Sequence, residues 1–515
     1  MKLSKVITIL KKYDLFKEVV LNRKWTYDLP EGADTDLTGL EYDSRAIKKG
    51  GLFVAKGNFK VDYIHSAIAN GAVAIISPLV FDKELQPAEV KVPQLIVTDV
   101  QKALAVVSRA YYGYPDRQLK VAGVTGTKGK TTTVYFTRYI LNDALKLPIA
   151  QFSSIDNCLD GQTMFESELT TPESLDLYRM MRQAVDNGIK YLVMEVSSQS
   201  YKKSRVFGLH FDVGAFLNIS PDHISPVEHP TFDDYLFCKS QLVKNADVMV
   251  INQANKYYQL LIEKAQAFGT PVISFGNNHS TADYRYTAST HGHFSVVSEN
   301  QSLPDLSGKY QVMIPGNFNY ENALAAMIIS SRFGAQKEAM TDGLLHTKVP
   351  GRMEMLHSKR GLIACVDYAH DYASLTASFS FVKHEYPKGR LIVVIGATGG
   401  KAESRRADIG HVLSQFADVA ILTSEDNYKE DPHVIDGDIK ANITNPHVDV
   451  TINVDRVSAI KHAFKVAKPG DVMFFAAKGR EDFMHQGDGD IPYVGDYQLT
   501  KKLMAADNQK YAGQQ

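Results

Sequence analysis

The stretch Gly123-Val-Thr-Gly-Thr-Lys-Gly-Lys-Thr-Thr-Thr133 joins a short apolar strand to a helix through a glycine-rich loop that ends in Lys130 and Thr131. Glycines let backbone N–H groups approach phosphate oxygens, while a lysine reaches the outer phosphates and a threonine hydroxyl can bind Mg²⁺. The general P-loop pattern has a glycine where this chain has Val124, although the strand–loop–helix context is intact. We therefore predict a nucleotide-binding loop, and the alternative is a glycine-rich turn that binds no nucleotide.

Short apolar strands alternate with helical stretches on both sides of this loop, which predicts parallel sheets covered on both faces. The candidate central strands are VAGV, YLVMEV, FDVGAFL and VMVIN, and a second series is LIACV (362–366), LIVVI (391–395), VAILT (419–423) and VMFFA (472–476). We predict an α/β protein of three domains. Residues 1–117 form a small α/β domain, residues 118–348 a central parallel-sheet domain with a P-loop-like ATPase site, and residues 349–515 a Rossmann-like domain. The polar stretch 277–311 predicts an antiparallel appendage.

The composition excludes several classes of protein. The formal net charge is −1, so nothing in the overall charge favours binding to nucleic acid or to a membrane surface. The 3 cysteines are far apart, which excludes a disulfide framework and a thiolate zinc site. No signal-peptide core and no apolar run near the ~18 residues of a membrane span occurs in the sequence. We expect a cytoplasmic protein without membrane insertion.

Glu195 and His223 each follow a predicted parallel strand, on the same side of the sheet as the phosphate loop. A carboxylate near phosphates is a natural Mg²⁺ ligand, whereas a lone histidine is more often structural. The position of both side chains predicts a metal site. A second glycine-rich loop, Gly396–Lys401, also follows a strand, but Ala402 lacks the hydroxyl for Mg²⁺; it is either a substrate-facing loop or only a tight turn.

Thr231-Phe-Asp-Asp234 is typical of a helix start and predicts a helix that runs through Tyr235–Lys244. Lys239 lies within this helix. Taken alone, it would be an ordinary solvated surface lysine.

Motifs spread over essentially the whole chain resemble the Mur ligases, the ATP-dependent amide ligases that build the peptidoglycan stem peptide. The resemblance is strongest to those members that extend UDP-N-acetylmuramoyl-L-alanyl-D-glutamate by its third residue. The motifs are Asp43-Ser-Arg45 and LFVA, GTKGKTT, LTTPESLDL (169–177), MEVSSQ with Ser204-Arg-Val206, NISPDH, Gly316–Asn322, PGRME, Asp367-Tyr-Ala-His370 and AAKGRED (476–482).

The resemblance implies a nucleotide site, a metal site and ATP and Mg²⁺ as cofactors. The implied ATP-binding residues are Gly126, Thr127, Lys128, Gly129, Lys130, Thr131, Thr132, Asn319, Asn322, Arg352, Asp367 and His370. The implied metal ligands are Thr131, Glu195, His223 and Lys239. Lys239 matches a family lysine that is carbamylated, and a carbamate supplies the anionic oxygens that an ammonium lacks. The implied catalytic residues are Lys130, Lys239, Glu195, His223 and Arg352.

The resemblance also implies the substrate-binding residues. Ser44 and Arg45 would face the uridine diphosphate. Thr170, Thr171, Ser198 and Arg205 would hold the muramoyl-dipeptide. In the C-terminal domain, Arg406 would bind the α-carboxylate of the added amino acid, Glu481 its α-amino group, and Glu425 or Asp426 its distal group. The expected partners are these small molecules alone, and a monomer is expected.

One departure from the family predicts which amino acid is added. Relatives that add meso-diaminopimelate carry Asp-Asn-Pro-Arg, but alignment on Asp431-Pro432 places Tyr428 at the arginine and Asp426 at the asparagine. A distal carboxylate would lose its cation, whereas a distal ammonium would gain an acidic partner. We predict L-lysine, with L-ornithine second and meso-diaminopimelate poor, unless the two acids are only solvated loop residues. The alternative functions are a folate polyglutamate-type ligase, which lacks the DSR and LTTP motifs, and a non-catalytic nucleotide-binding protein.

Overall fold

The computed structural model of the protein describes residues 1–57, 59–221, 224–225, 228–289, 292–314, 318–400 and 403–512. The chain divides into two compact units. The first contains Met1–Arg285, Glu299–Pro304 and Ala325–Met340, and the second contains Tyr286–Ser298, Asp305–Leu324 and Thr341–Gln515. Within the described ranges, no helix combines the length and the apolar character needed to cross a bilayer.

The N-terminal part of the first unit is a mixed sheet with helices. Its elements are α1 (Leu3–Lys12), β1 (Phe16–Leu21), β2 (Lys24–Thr26), β3 (Gly39–Glu41), β4 (Gly51–Val54), α2 (Val61–Ala69), β5 (Ala72–Ser77), β6 (Gln94–Val97) and α3 (Val100–Tyr111). The strand order is β2-β1-β6-β5-β4-β3, in which β3 to β6 run parallel and β1 is antiparallel. Leu52 and Val54 pack into the core on one face and Phe53 into the core on the other, as the two-residue period of a strand requires.

The phosphate loop belongs to the larger parallel sheet of the first unit. The elements are β7 (Lys120–Thr125), α4 (Lys130–Leu145), β8 (Ala150–Phe152), β9 (Asp156–Cys158), β10 (Met164–Glu166), α5 (Ser174–Asp186), β11 (Tyr191–Glu195), α6 (Ser198–Lys202), β12 (Val213–Phe216), α7 (Phe232–Ser240), β13 (Met249–Asn252), α8 (Tyr258–Phe268) and β14 (Val272–Asn277). The strand order is β10-β9-β8-β11-β7-β12-β13-β14. Neighbours along the part β8-β11-β7-β12-β13-β14 pair in parallel, whereas the pairs β8–β9 and β9–β10 are antiparallel. The predicted central parallel sheet is confirmed.

Further along the chain come β15 (Tyr284–Ala288), β16 (His293–Ser298), β17 (Gly308–Gln311), α9 (Phe318–Arg332) and α10 (Lys337–His346). Strands β16 and β17 pair antiparallel, which confirms the predicted antiparallel appendage.

The second unit contains a Rossmann-like sheet. Its remaining elements are β18 (Glu354–His357), β19 (Ile363–Val366), α11 (Tyr372–Glu385), β20 (Leu391–Ile395), α12 (Ser404–Phe416), β21 (Val419–Leu422), α13 (Pro432–Ala441), β22 (Asp449–Ile452), α14 (Arg456–Val466), β23 (Val472–Phe475), β24 (Phe483–Gln486), β25 (Gly489–Pro492) and α15 (Asp496–Ala512). The order is β18-β19-β23-β20-β21-β22, and only β18 is antiparallel. The loops after β19, β20, β21 and β23 therefore leave the same edge of the sheet, where open α/β sheets bind ligands.

These elements confirm the predicted α/β class, and each of the three large sheets lies within one predicted domain range. The boundaries near residues 117 and 348 stay predictions. One helix prediction was wrong in its extent: α7 begins at Phe232 and ends at Ser240. Residues Gln241–Asn245 continue as a 3-10 helix instead, which tightens the last turns before β13.

Candidate active site

The phosphate loop connects β7 to α4 and closes around its own lysine. Gly129 has a φ of +84°, in the left-handed region, and turns the chain into the helix that begins at Lys130. A Cβ at Gly126 would lie only 3.1 Å from the carbonyl oxygen of Lys128. The Lys130 ammonium donates to the carbonyl oxygens of Gly126 and Thr127, at 2.9 and 3.2 Å. The cation thus lies inside the loop that the sequence predicts to hold phosphates.

Glu195 ends β11 beside the first turn of α4 and is 1% exposed. Its Oε1 accepts hydrogen bonds from the Thr131 hydroxyl and from the Ser154 N–H, both at 2.8 Å. No lysine, arginine or histidine among the described residues forms an ion pair with this carboxylate. A buried carboxylate with neutral donors and no cationic partner fits a divalent cation. Thr131 and Glu195, two of the predicted metal ligands, therefore lie together.

Helix α7 carries the third predicted metal ligand, Lys239, to the phosphate loop. The helix starts where the Thr231 hydroxyl accepts the N–H of Asp234. Lys239 is 2% exposed, and its ammonium donates to the carbonyl oxygen of Gly126 at 2.8 Å. It is therefore not the solvated lysine that its sequence alone suggests. The fourth predicted ligand, His223, lies outside the described residues.

A cavity of about 310 Å³ opens next to these groups. Its walls contain the predicted residues Thr170, Ser198 and Arg205 together with Lys130 and Lys239. The sequence analysis did not single out the other lining residues, which are Leu169, Ser197, Gln199, Lys203 and Glu228. Most of them are immediate neighbours of predicted residues in the LTTP and MEVSSQ motifs, so their position in the motifs was the available signal.

Thr171 lies behind the cavity wall, fully buried. Its hydroxyl donates to the backbone oxygen of Glu195 at 3.0 Å and accepts the N–H of Ser197 at the same distance. The residue therefore ties the LTTP segment to the end of β11. This contact fixes the wall of the cavity rather than lining it.

Arg205 is anchored to the cavity by an acidic residue. Its guanidinium bonds to Glu173 at 2.8 Å and to the backbone oxygen of Thr171 at 3.1 Å. The second oxygen of Glu173 lies 2.6 Å from the Lys56 ammonium. Burial raises the pKa of Glu173, but Lys56 and Arg205 outweigh that effect and leave the pKa below its ordinary value. Glu173 is thus an ionised link between the N-terminal sheet and the cavity.

The predicted uridine-diphosphate residues lie in the N-terminal sheet region. The Arg45 side chain is 87% exposed and pairs with Asp43 at 2.8 Å. This hydrogen bond is the main reason that the pKa of Asp43 falls to about 2. Ser44 is buried, and its carbonyl oxygen accepts a hydrogen bond from Asn70. Arg45 is therefore open to solvent, but its Nε and Nη2 already donate to Asp43, so a diphosphate would share this guanidinium with that acid.

In the second unit, two groups of predicted nucleotide residues are ordered by local hydrogen bonds. At the start of α9, Asn322 donates its amide N–H to the side-chain oxygen of Asn319 at 3.0 Å.

After β19, Asp367 accepts the N–H groups of Met353 and Ala369, each at 2.6 Å. Burial raises the pKa of Asp367, while the nearby Arg352 guanidinium opposes that shift. His370 contacts the backbone oxygen of Tyr368 at 2.7 Å.

The acidic residues predicted to bind the added amino acid lie after β21 and β23, around a buried lysine. The ammonium of Lys478 is 2.8 Å from Asp426 and also pairs with Glu481. Glu425 is 8% exposed, accepts a hydrogen bond from Thr398 at 3.1 Å and forms no ion pair among the described residues. Burial raises the pKa values of both Glu425 and Glu481. Of these acids, Glu425 is the one that has no cationic partner in the ranges that the structure describes.

Arg406, the predicted α-carboxylate ligand, is already paired in this structure. Its guanidinium lies 2.7 Å from Glu430 and 2.8 Å from Asp438. A substrate carboxylate at Arg406 would therefore compete with two acids that already contact its outer nitrogens. In the nearby glycine-rich loop, a Cβ at Gly396 would lie 2.1 Å from the carbonyl oxygen of Thr423. This contact supports the interpretation of that loop as a tight turn; Lys401 and Ala402 lie outside the described residues.

Comparison with known proteins gives matches along the whole chain. Residues 124–330 match the Mur ligase middle domain, and residues 351–479 match the Mur ligase glutamate ligase domain. The chain is 45% identical to the UDP-N-acetylmuramoyl-L-alanyl-D-glutamate–L-lysine ligase of Enterococcus faecalis, over 97% of this chain and 98% of that one. It is 40% identical to the ligase of the same name from Streptococcus sanguinis, over 98% of this chain and 100% of that one.

Among solved structures, a UDP-N-acetylmuramoyl-L-alanyl-D-glutamate–2,6-diaminopimelate ligase superposes with a TM-score of 0.64 at 24% identity. The match covers 92% of this chain and 96% of that one. At this identity the similarity shows the fold alone.

Proposed function

The chain belongs to the Mur ligase family, and we propose that it adds L-lysine to the γ-carboxylate of D-glutamate in UDP-N-acetylmuramoyl-L-alanyl-D-glutamate. The reaction consumes ATP and supplies a peptidoglycan precursor. One geometric observation carries the proposal. Lys130 of the phosphate loop and Lys239 line the same cavity as Thr170 and Arg205, so phosphate and a substrate carboxylate can meet there.

The chemistry follows from the weak reactivity of a carboxylate towards an amine. The γ-phosphoryl group of ATP passes first to the γ-carboxylate, which forms an acyl phosphate and releases ADP. The neutral α-amine of lysine then attacks the acyl carbon, the C–O bond to phosphate breaks, and phosphate leaves with the electron pair. The nitrogen loses a proton and an amide remains. Lys130 offsets negative charge on the phosphoryl group during its transfer, a step governed by positioning and electrostatics.

Mg²⁺ would be held by Thr131 and Glu195, two buried side chains that lie within hydrogen-bond distance of each other. His223 and a carbamylated Lys239 would complete the ligands. When bound, the ion would neutralise negative charge on the phosphate oxygens. As an ammonium, Lys239 cannot bind a cation, so its ligand role depends on carbamylation.

The test is an ADP-release assay with purified enzyme, ATP, Mg²⁺, the UDP-muramoyl-dipeptide and a panel of amino acids. We expect ADP release that requires both the dipeptide and L-lysine, and its loss in Lys130→Ala. The Lys130→Ala chain should still bind a uridine nucleotide, because Ser44 and Arg45 lie in the N-terminal sheet region. Release that requires a folate and glutamate, or no ligation at all, would overturn the proposal.

Two properties of the enzyme also stay predictions: a monomeric state and a cytoplasmic location. L-Ornithine is the amino acid that the same charges would accept next, because it carries the same distal ammonium on a shorter chain. The panel therefore includes ornithine and meso-diaminopimelate beside lysine.

A further inference from the structure

Ser198, in the cavity wall, is the first member of a chain of hydrogen bonds. Its hydroxyl oxygen lies 2.9 Å from Nε2 of His229, and Nδ1 of His229 lies 2.6 Å from Oδ2 of Asp234. The same Oδ2 lies 2.6 Å from the Lys202 ammonium. The His229 side chain is fully buried, whereas the Asp234 side chain is 31% exposed. The chain thus leads from the cavity to the surface.

The direction of each hydrogen bond follows from the charge of Asp234. The hydrogen bond from Lys202 is the main cause that lowers the pKa of Asp234, so its carboxylate is ionised near neutral pH and can only accept. Nδ1 of His229 therefore carries the ring proton. In the neutral ring, Nε2 then has the lone pair and accepts the proton of the Ser198 hydroxyl. With its proton engaged, Ser198 offers only lone pairs to the cavity.

We propose that Asp234 and His229 are positioning residues that hold Ser198 as a hydrogen-bond acceptor for an amide N–H of the acyl substrate. This inference rests on the proposed function, in which the cavity holds the muramoyl-dipeptide. The amide between L-alanine and D-glutamate supplies such an N–H. Among the described residues, the Ser198 hydroxyl has no other hydrogen-bond partner, so its lone pairs are available to the ligand.

Protonation of His229 reverses this arrangement. Its Nε2 then donates to the Ser198 oxygen, and the serine proton turns towards the cavity, where it meets the substrate N–H. Among the described residues, one charged group paired with the ring is Asp234, which is itself paired with Lys202. Tyr235 and Cys238 belong to α7, as Asp234 does. The Tyr235 ring centroid lies 5.2 Å from the His229 ring centroid, and the Cys238 sulfur lies within 4.8 Å of a ring nitrogen of His229. Lys239, Glu228 and Lys203 share the cavity wall. The affinity for the dipeptide substrate should therefore fall when His229 becomes protonated.

A metal centre is the competing interpretation of the same residues. His229, Asp234 and Cys238 place one potential ligand atom each within 4.8 Å of one another. However, the carboxylate already holds the ammonium of Lys202, a cation that a metal ion would have to displace. Zn²⁺ titration monitored by direct binding, with Cys238→Ser as the control, tests this interpretation. Stoichiometric Zn²⁺ binding that is lost in Cys238→Ser would overturn the proposal that Asp234 and His229 position Ser198.

The first test of the proposed role of Ser198 compares two ligands. The first is UDP-N-acetylmuramoyl-L-alanyl-D-glutamate, and the second is its ester analogue, in which oxygen replaces the N–H between alanine and glutamate. The wild-type protein should bind the amide about tenfold tighter than the ester, the scale of one buried hydrogen bond. Ser198→Ala should bind both within about twofold. If Ser198→Ala keeps the full preference for the amide, the proposal is wrong.

The second test uses the pH dependence of KM for the UDP-dipeptide. In the wild type, KM for the UDP-dipeptide should rise as the pH falls and His229 becomes protonated. Asp234→Asn removes the charge that stabilises protonated His229 and should move this rise in KM to lower pH by about one unit. Because Lys202 donates to the same oxygen, the amide oxygen of the new side chain takes that position and Nδ1 keeps its proton. Lys202→Met removes a nearby cation and should move the rise to higher pH.

Shifts of the pH profile in opposite directions in these two variants distinguish the proposed positioning role from a purely structural role. A structural role would change KM without moving its pH profile. Asp233→Asn is the matched control, since Asp233 is exposed in the same first turn of α7 and should leave the profile unchanged. Shifts in the same direction, or no shift, would contradict the proposal. If the wild-type enzyme neither binds nor ligates the UDP-dipeptide, the proposed function fails instead, which separates the two outcomes.

Discussion

One carboxylate oxygen of Glu173 lies 2.6 Å from the ammonium nitrogen of Lys56, although 117 residues separate them in the chain. The other oxygen binds Arg205 in the cavity wall. Both Lys56 and Glu173 are less than one-fifth exposed, so the pair is shielded from much of the solvent screening that weakens surface ion pairs. A single carboxylate therefore connects the N-terminal sheet to the candidate substrate site.

Glu173→Gln should lower the free energy of unfolding by about 2 kcal/mol at pH 7, because it leaves two cations without their acid. The pKa of Glu173 is lowered in the folded state, so its stabilising effect is present above its unfolded pKa and is lost as the pH falls through the folded value. Urea unfolding at pH 7 and in mild acid measures the free energy of unfolding of both proteins. The difference in this free energy between variant and wild type should become smaller as the pH falls. Glu166→Gln, at an exposed position, is the control. A difference that is independent of pH would contradict the ionic role.

The magnesium requirement provides the next prediction. Glu195→Gln keeps an oxygen that can accept from Thr131 and Ser154 but removes the negative charge, so the fold should persist while metal affinity falls. We expect the Mg²⁺ concentration for half-maximal ATP turnover to rise at least about tenfold. Circular dichroism and unfolding curves should match the wild type. An unchanged Mg²⁺ requirement would remove Glu195 from the metal site.

Carbamylation of Lys239 is tested by chemical rescue. Lys239→Ala should lose ligation, and added short carboxylates such as formate or acetate should restore part of it by supplying the missing anionic oxygens. Lys244→Ala, four residues beyond α7 and exposed, should behave as the wild type. Intact-protein mass spectrometry at high bicarbonate should show a carbamate on the wild type that is absent from Lys239→Ala. Full activity of Lys239→Ala would refute the assignment.

The sequence predicted the elements whose signal is local. LIVVI is a continuous β-branched run, and β20 occupies Leu391–Ile395 as predicted. The glycine-rich loop likewise joins β7 to the helix that begins at Lys130. In both cases the residue types alone favour the observed backbone.

Partners brought together by the tertiary fold were not predicted. Lys429 lies in the acidic loop itself, and Arg480 belongs to the AAKGRED motif, so both are cations close to the acids in sequence or motif. In the structure, however, Lys429 pairs with Asp488 and Arg480 with Glu354. Lys478, 52 residues from Asp426, is the cation that reaches it. No periodicity encodes which of several lysines meets a given carboxylate, because that choice depends on where two loops leave the same sheet edge.

The choice of amino acid depends on which acid remains available to a substrate ammonium. Asp426 accepts from Lys478 and from the His485 N–H, and Glu481 shares the same lysine. Glu425 is buried, and within the described part of the chain it has the Thr398 hydroxyl as a donor and no ion pair, so a distal ammonium would compensate its charge. Glu425→Gln should therefore raise KM for L-lysine about tenfold or more, with little change in KM for ATP. Asp426→Asn should have the smaller effect on lysine binding.

The same reasoning predicts how the enzyme discriminates among amino acids. Tyr428, at the position of the arginine in diaminopimelate-adding relatives, stacks on His485 with ring centroids 5.1 Å apart and offers no cation to a distal carboxylate. In competition, L-lysine should be used in preference to L-ornithine, and meso-diaminopimelate should be poor. Asp426→Asn combined with Tyr428→Arg should weaken lysine use and improve that of diaminopimelate, measured by mass spectrometry of the UDP-tripeptide products. Efficient incorporation of meso-diaminopimelate by the wild type would overturn the charge argument, since neither Glu425 nor Tyr428 could then be setting the preference.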